Sequence, residues 1–339
     1  MGDAVNASAA PLRVGVIGAG AMGASHVRTL TTAVPGAVVT EVFDPDTERA
    51  RSVVGPGGRA ASSAEDLIAS AEVDAVVIAS PDLTHAALAV RCLEAGKPTL
   101  CEKPLALTAA EARTVVDAEV AGGRRLVQLG FMRRFDPGFV ALRDAVVDGS
   151  VGRVRVVHAV HRNASSSTST DDAGLVTGSM VHELDTIPWL LDDPLVAIRV
   201  ESPVTTGFRD PQLATLWTRG GVMATVEVFV NAAYGYDVRC EVVGTAGSAS
   251  LEPTTPIRLR SAGVDGVAVR DDFVAHFTEA YRHELGAWVR AAATGGVASS
   301  APSAWDGYVA NVAAAAGVAS LGSGVREDVT PGERPALYA

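Results

Sequence analysis

Apolar and polar positions alternate from the start of the patterned chain. Leu12-Arg-Val-Gly-Val-Ile places successive side chains on opposite faces and reads as a buried strand. A helix from about Gly20 to Leu30 follows, then a second strand, Val38 to Phe43. The same grammar continues with helices over Asp46 to Val53 and Ser63 to Ser70 and a β-branched strand from Val73 to Ser80. Pro81-Asp82 caps a helix from Thr84 to Ala95, which Gly96 ends. A short strand, Thr99 to Glu102, a helix capped by Thr108 and running to Ala121, and a strand from Arg125 to Gly130 complete the series. Such strand–helix repetition builds a parallel sheet with right-handed crossovers, whose ligand lies beyond the carboxyl ends of the strands.

From Arg153 the period changes. Val154 to Val160, Val196 to Ser202, Leu213 to Thr218, Val222 to Val230, Asp237 to Val243 and Ile257 to Arg260 read as strands, and Thr218-Arg-Gly-Gly-Val as a hairpin turn. Amphipathic helices follow near Asp272 to Ala293 and Ala304 to Ala319. The expected architecture is a doubly wound α/β unit over residues 11–131, then an α+β unit over 132–339 with a largely antiparallel open sheet. One face of that sheet needs helical cover, and the other is available to an oligomer. Ser165 to Asp172 is polar and low in complexity, and reads as a mobile loop able to close over a site.

Bulk properties narrow the function. The 339 residues exceed one comfortable core, in line with two units. A formal charge of −11 disfavours nucleic acid or an anionic membrane as partner. The three cysteines, Cys92, Cys101 and Cys240, lie far apart without metal-type spacing, which suggests free thiols in a reducing compartment. The first ten residues read as a frayed tail rather than a secretion signal, and no segment reads as a membrane span, so a cytoplasmic location is expected.

The first strand runs into Gly18-Ala-Gly20-Ala21-Met22-Gly23, the glycine turn of a Rossmann dinucleotide fold. Its glycines permit a tight turn and close approach of a pyrophosphate to the helix N-terminus. Asp44 ends the second strand, 21 residues beyond Gly23 (44 − 23), where an acid binds the adenosine ribose and repels a 2′-phosphate. NAD is therefore expected over NADP, although Asp44 also suits a turn before Pro45. Glu102 and Lys103 stop abruptly at Pro104, at the carboxyl end of a strand of that sheet. Lys103 is there either a solvated strand-end charge or a proton handler facing a cleft. Further on, Gly178 to Leu191 reads as one helix with Gly178, His182 and Asp185 on one face. His182 and Asp185 suit either a surface pair or a site.

Nearly the whole chain, from Arg13 to about Tyr338, resembles the Gfo/Idh/MocA oxidoreductases, and within them the bacterial inositol 2-dehydrogenases. The resemblance rests on the glycine turn, Ala95-Gly-Lys-Pro, Cys101-Glu-Lys-Pro-Leu-Ala, Arg125-Leu-Val-Gln-Leu-Gly-Phe-Met-Arg-Arg-Phe-Asp, His161-Arg-Asn, His182-Glu-Leu-Asp, Tyr234-Gly-Tyr-Asp and Ala304-Trp-Asp-Gly-Tyr. It implies an NAD-dependent oxidation of a secondary alcohol on a small polyol or sugar, usually in a homotetramer. It makes Lys103 and His182 the residues flanking the carbinol, and Arg133, Asn163, Asp185 and Tyr236 substrate-side positions. Gly18, Gly20, Ala21, Met22, Gly23, Asp44, Glu102 and Lys103 fall on the cofactor side, and no metal is implied.

One position departs from the pattern. The inositol dehydrogenases carry an aspartate four residues before the histidine, where this chain has Gly178. Three readings follow: oxidation of myo-inositol with water or Ser179 partly replacing the acid, oxidation of an aldose or amino-cyclitol, or a nucleotide-binding sensor with little catalysis. Whether Asp171 or Asp172 folds inward to replace the acid is a question for the tertiary structure.

Overall fold

Strand β1 (Leu12–Ile17) is buried along its length except at Arg13, which pairs with Asp74, because it lies in the middle of a sheet. The computed structural model describes residues 10–166, 171–252 and 257–339. Residues 1–9 of the expected tail and 167–170 of the polar loop lie outside the described residues. The first unit alternates β1, α1 (Ala21–Thr32), β2 (Ala37–Phe43), α2 (Thr47–Val54), β3 (Arg59–Ala60), α3 (Ala64–Ala69), β4 (Ala75–Ile78), α4 (His85–Glu94), β5 (Thr99–Glu102), α5 (Ala109–Gly122) and β6 (Val127–Gly130). The strands pair in parallel in the order β3-β2-β1-β4-β5-β6. The order reverses between β1 and β4, which opens a crevice at their carboxyl ends. A capping box of Thr108 and Glu111 starts α5, and Gly96, at φ 68°, follows α4. Asp82 does not cap a helix. It sits in a short 3-10 turn, and α4 begins at His85.

Periodicity gave no warning of α6 (Pro137–Val147). Asp136 caps it by accepting from the amides of Gly138 and Phe139, and Pro137 needs no donor in the first turn. The second sheet comprises β7 (Val154–Arg162), β8 (Leu195–Glu201), β9 (Gln212–Thr218), β10 (Met223–Phe229), β11 (Asp237–Gly244), β12 (Ser248–Ser250) and a last strand, Glu327–Asp328. Its order is β12-β11-β7-β10-β9-β8 and then the last strand, with β7 and β10 as the parallel pair in an otherwise antiparallel ladder. Between β7 and β8 run α7 (Asp172–Gly174), a π-helical turn over Leu175–Met180, and α8 (Val181–Leu191).

Two expectations need correction. The segment near Ile257 does not join this sheet. Its strand β13 (Arg258–Ser261) pairs with β14 (Val264–Val267) as a separate hairpin, and alternating arginines leave no face to bury. The helix expected from Asp272 is broken at Phe277 into α9 (Phe273–His276) and α10 (Thr278–Ala292). Phe277 is buried at φ −102° and ψ 25°, outside helical geometry.

Both late helices return to the first sheet. Leu285, Trp288 and Val289 of α10 pack with Val14, Val16, Val77 and Leu100. Ala304, Trp305 and Ala310 of α11 (Ala304–Ser323), together with Tyr338, pack with Ile78, Leu105 and Leu129 on the opposite side. Fully burying one such side chain contributes on the order of 1.5–3 kcal/mol, so this return fixes the crevice between the sheets. No described helix is long and apolar enough to cross a membrane.

Candidate active site

At the reversal point, Gly18 adopts φ 97°, and a Cβ there would lie 2.4 Å from the Ala79 carbonyl oxygen. A Cβ on Gly23 would lie 1.9 Å from the Gly18 carbonyl oxygen, so turn and helix meet backbone to backbone. No side chain caps the N-terminus of α1, and its amides remain available to a phosphate. Asp44 braces the turn: its carboxylate accepts from the Ala19 amide at 2.8 Å and the Asp46 amide at 2.9 Å. Oδ2, which accepts only from Ala19 among the described residues, keeps a lone pair for a ribose hydroxyl. Arg49 Nη1 stands 3.5 Å from Asp44, an arginine five residues on that the helix α2 brings back.

Lys103 follows β5 at the same end of the sheet. Glu102 does not pair with its ammonium but with His26 of α1, at 2.7 Å in the interior. Burial works against the Glu102 carboxylate, yet the His26 hydrogen bond and the charges of His26 and Lys103 outweigh it and hold the group below its ordinary range. His85 faces the Pro104 carbonyl at 2.7 Å and the Ser80 carbonyl at 2.8 Å, tying the Lys103-Pro104 turn to the end of β4. Burial lowers the Lys103 ammonium from its ordinary value against the opposing charges of Glu102 and Asp82.

The opposite wall is the π-turn and α8. Lys103 Nζ donates to the Gly178 carbonyl at 2.9 Å. His182 sits one turn on, buried, with Nδ1 lacking a hydrogen-bond partner among the described residues. Burial drives its imidazole well below the ordinary value, and Lys103, Arg133 and His161 push the same way. The neutral form of His182 is therefore favoured. Lys103, Gly178, His182, Asn163 and Tyr236 line one cavity of about 240 Å³, which also meets Met22 and Glu102 of the cofactor side.

Comparison with known proteins shows the family. Residues 12–131 match the model of the oxidoreductase family with an NAD-binding Rossmann fold, and residues 139–250 match the GFO/IDH/MocA C-terminal domain. The chain is 49% identical to inositol 2-dehydrogenase 1 of Saccharopolyspora erythraea, over 96% of this chain and 99% of that protein. Identity to the inositol 2-dehydrogenase of Klebsiella pneumoniae is 40%, over 96% and 99%. The crystal structure of Lactobacillus casei myo-inositol dehydrogenase with NAD(H) and myo-inositol superposes with a TM-score of 0.92 at 34% identity, covering 97% of this chain and all of that one. The chain belongs to the Gfo/Idh/MocA oxidoreductase family. Its glycine cradle, uncapped helix and Asp44 fit NAD, the cofactor of that Rossmann domain.

Within this family member, two expected site residues lie away from the Lys103 cavity. Arg133 is buried behind it, in an ion pair with Glu183 and 3.3 Å from His161 Nδ1. Asp185 is held by Arg134, whose Nε donates to it at 2.9 Å, and lines a separate cavity of about 840 Å³ beside Trp305 and Asp306. Burial raises the Asp185 carboxyl to about 6 against that arginine. The expected common face of Gly178, His182 and Asp185 divides between two cavities: Gly178 and His182 line the Lys103 cavity, while Asp185, three residues on in the regular helix α8 and about 60° around its axis from His182, lines the other. The polar loop supplies no replacement acid: Asp171 caps α7 through the Gly174 amide, and Asp172 binds Arg209.

Other cavity residues were not singled out for the site. Asp82, His85, His161 and Tyr281 all line it. Only His161 carried a signal, in His161-Arg-Asn. The rest arrive by tertiary contact.

Proposed function

We propose that this protein oxidises a ring secondary alcohol of a cyclitol or sugar to the ketone with NAD⁺, as an inositol 2-dehydrogenase-like enzyme. The observation that carries the reading is the meeting of Lys103 and the neutral His182 in one cavity beside the glycine cradle. Gly18, Gly20, Ala21, Met22 and Gly23 hold the pyrophosphate, Asp44 the ribose, and Glu102 the floor next to the reacting end. NAD⁺ held there would supply the acceptor for the hydride of the carbinol carbon. His182 takes the hydroxyl proton, and Lys103, fixed on the Gly178 carbonyl, holds the substrate oxygen. Asn163, whose Oδ1 is buried without a partner among the described residues, and Tyr236, whose hydroxyl burial raises to about 12, bind further hydroxyls. Arg133 and Asp185 act from behind as positioning groups through Glu183 and Arg134.

Gly178 supports a second reading of the substrate, an aldose or amino-cyclitol in place of myo-inositol, because nothing lies within 4 Å of a Cβ built there. We further assign residues 11–131 to cofactor binding and 132–339 to substrate binding and oligomerisation. A homotetramer is supported by exposed Leu213 and Met223 on the outer face of the second sheet, and a cytoplasmic location by three buried free thiols. The test is NADH formation with inositols, aldoses and amino-cyclitols, each with NAD⁺ and NADP⁺. Turnover of at least one with a preference for NAD⁺ is expected. Silence throughout, with NAD bound, would sink the reading in favour of a sensor.

A further inference from the structure

His85 stands where the two halves of the candidate site meet. It opens α4, is 1% exposed and lines the Lys103 cavity. Its Nδ1 lies 2.7 Å from the Pro104 carbonyl oxygen, and its Nε2 lies 2.8 Å from the Ser80 carbonyl oxygen. A carbonyl oxygen only accepts, and a neutral imidazole has a single N–H. With one proton, the bare nitrogen would meet a carbonyl oxygen lone pair to lone pair, a buried mismatch that folded proteins avoid. Both bonds form together only when both ring nitrogens donate. Counter-charge is at hand, since Glu102 and Asp82 line the same cavity, and His85 helps to hold the Glu102 carboxyl down. Lys103 is the neighbouring cation, and His182 stands across the cavity. On the elements packed against α4, Glu65, Asp66, Glu111, Arg113, Asp117 and Glu119 are each held by a partner of their own. Burial raises the thiols of Cys92 and Cys101 and keeps them neutral.

The two carbonyls belong to different parts of the site. Ala79 and Ser80 follow β4 and form the backbone on which the glycine turn rests. A Cβ on Gly18 would lie 2.4 Å from the Ala79 carbonyl oxygen and 2.7 Å from the Ser80 nitrogen. Pro104, in turn, directly follows Lys103. We infer that His85 is a positioning residue, held as a doubly protonated imidazolium that staples the strand end beneath the cofactor cradle to the Lys103 turn. For what Lys103 does, the inference rests on the alcohol oxidation proposed above; for the state of His85 it does not. Loss of one proton would release one of the two carbonyls, and with it the alignment of Lys103 to the cradle. The fixed cation also weighs against the charge on Lys103.

A neutron crystal structure of the deuterated full-length protein at neutral pH should show deuterium on both ring nitrogens of His85. A bare Nδ1 or Nε2 overturns the inference. Kinetics then separate charge from shape. H85Q is neutral and cannot donate to both carbonyls, whereas H85R keeps the charge and several N–H donors. With an alcohol that the wild type oxidises, H85Q should lower kcat about ten- to a hundredfold. It should also move the alkaline midpoint of kcat/KM up by roughly half a pH unit or more, because a cation beside Lys103 is gone. H85R should keep the wild-type midpoint. A neutral, merely structural His85 gives the opposite pattern, so a midpoint unmoved in H85Q or lowered in H85R overturns the inference and leaves the alcohol oxidation standing. If no alcohol reduces NAD⁺, the proposed function fails, and the neutron structure still decides the state of His85.

Discussion

The Lys103 ammonium is hydrogen-bonded to the main-chain carbonyl of Gly178, 75 residues away, at 2.9 Å. This contact joins the end of the last-but-one strand of the parallel sheet to the π-turn of the second unit. The lysine is therefore anchored by backbone that substitution at 178 leaves in place.

Replacing Lys103 by alanine should lower kcat by about a hundred- to ten-thousandfold, the range for losing a positioned acid–base group. NADH affinity, read by nicotinamide fluorescence, should be retained, because the proposed cradle is formed by Gly18, Gly23 and Asp44. Near-normal turnover of K103A on a good substrate would exclude the role given to Lys103.

The pH profile carries two signs. His182 acts as a base when neutral, and its imidazole lies well below 6.5, so the acid limb of kcat/KM should fall below pH 6.5. Lys103 holds the substrate oxygen when charged, and burial lowers it from 10.5, so activity should decline at a midpoint below pH 10.5. K103R, whose guanidinium stays charged, should lose the alkaline limb even where its rate is reduced. A wild-type profile still rising past pH 10.5 would contradict this.

On the proposed assignment, Asp44 and its neighbour Arg49 together set cofactor choice. Removing the carboxylate in D44A deletes the proposed ribose acceptor and leaves Arg49 opposed by Asp46 alone, which makes a 2′-phosphate easier to accept. NAD should bind about tenfold more weakly and the NADP-to-NAD ratio should rise by at least that factor. Titration with both cofactors measures it, and an unchanged ratio would refute the assignment. Thermal unfolding of D44A reports separately on the loss of its bonds to Ala19 and Asp46.

Glu183 is a stability residue. Burial opposes its ionisation, but Arg133 and His161 bring its carboxyl from 4.5 to about 2. A depressed carboxyl contributes stability that is fully present above 4.5 and is lost as pH falls toward 2. E183Q leaves Arg133 buried without its counter-charge, at a cost of about 3–5 kcal/mol in denaturant unfolding at neutral pH. The gap between wild type and E183Q should narrow as the pH drops below 4.5, and a constant gap would disprove the linkage.

Much of this was legible in the residue order. The strand–helix alternation, the glycine turn, Asp44 and Lys103 are local signals, because a tight turn, a strand end and a helix cap are each specified by a few neighbouring residues. The helix after Asp136-Pro137 was equally local, since its cap and first-turn proline stand in the sequence, yet its apolar period is weak and it passed unread.

What the sequence by itself determined is the class of fold, the cofactor side and the identity of the lysine and histidine, since each follows from local backbone needs or from motif spacing. Only the tertiary structure decided which groups share the cavity. Gly178 and His182 line the Lys103 cavity, while Asp185, about 60° around the regular helix α8 from His182, is held by Arg134 in another. The pairing of Glu102 with His26, of Arg133 with Glu183 and of Asp172 with Arg209 likewise depends on packing between distant segments. No local pattern encodes those pairings.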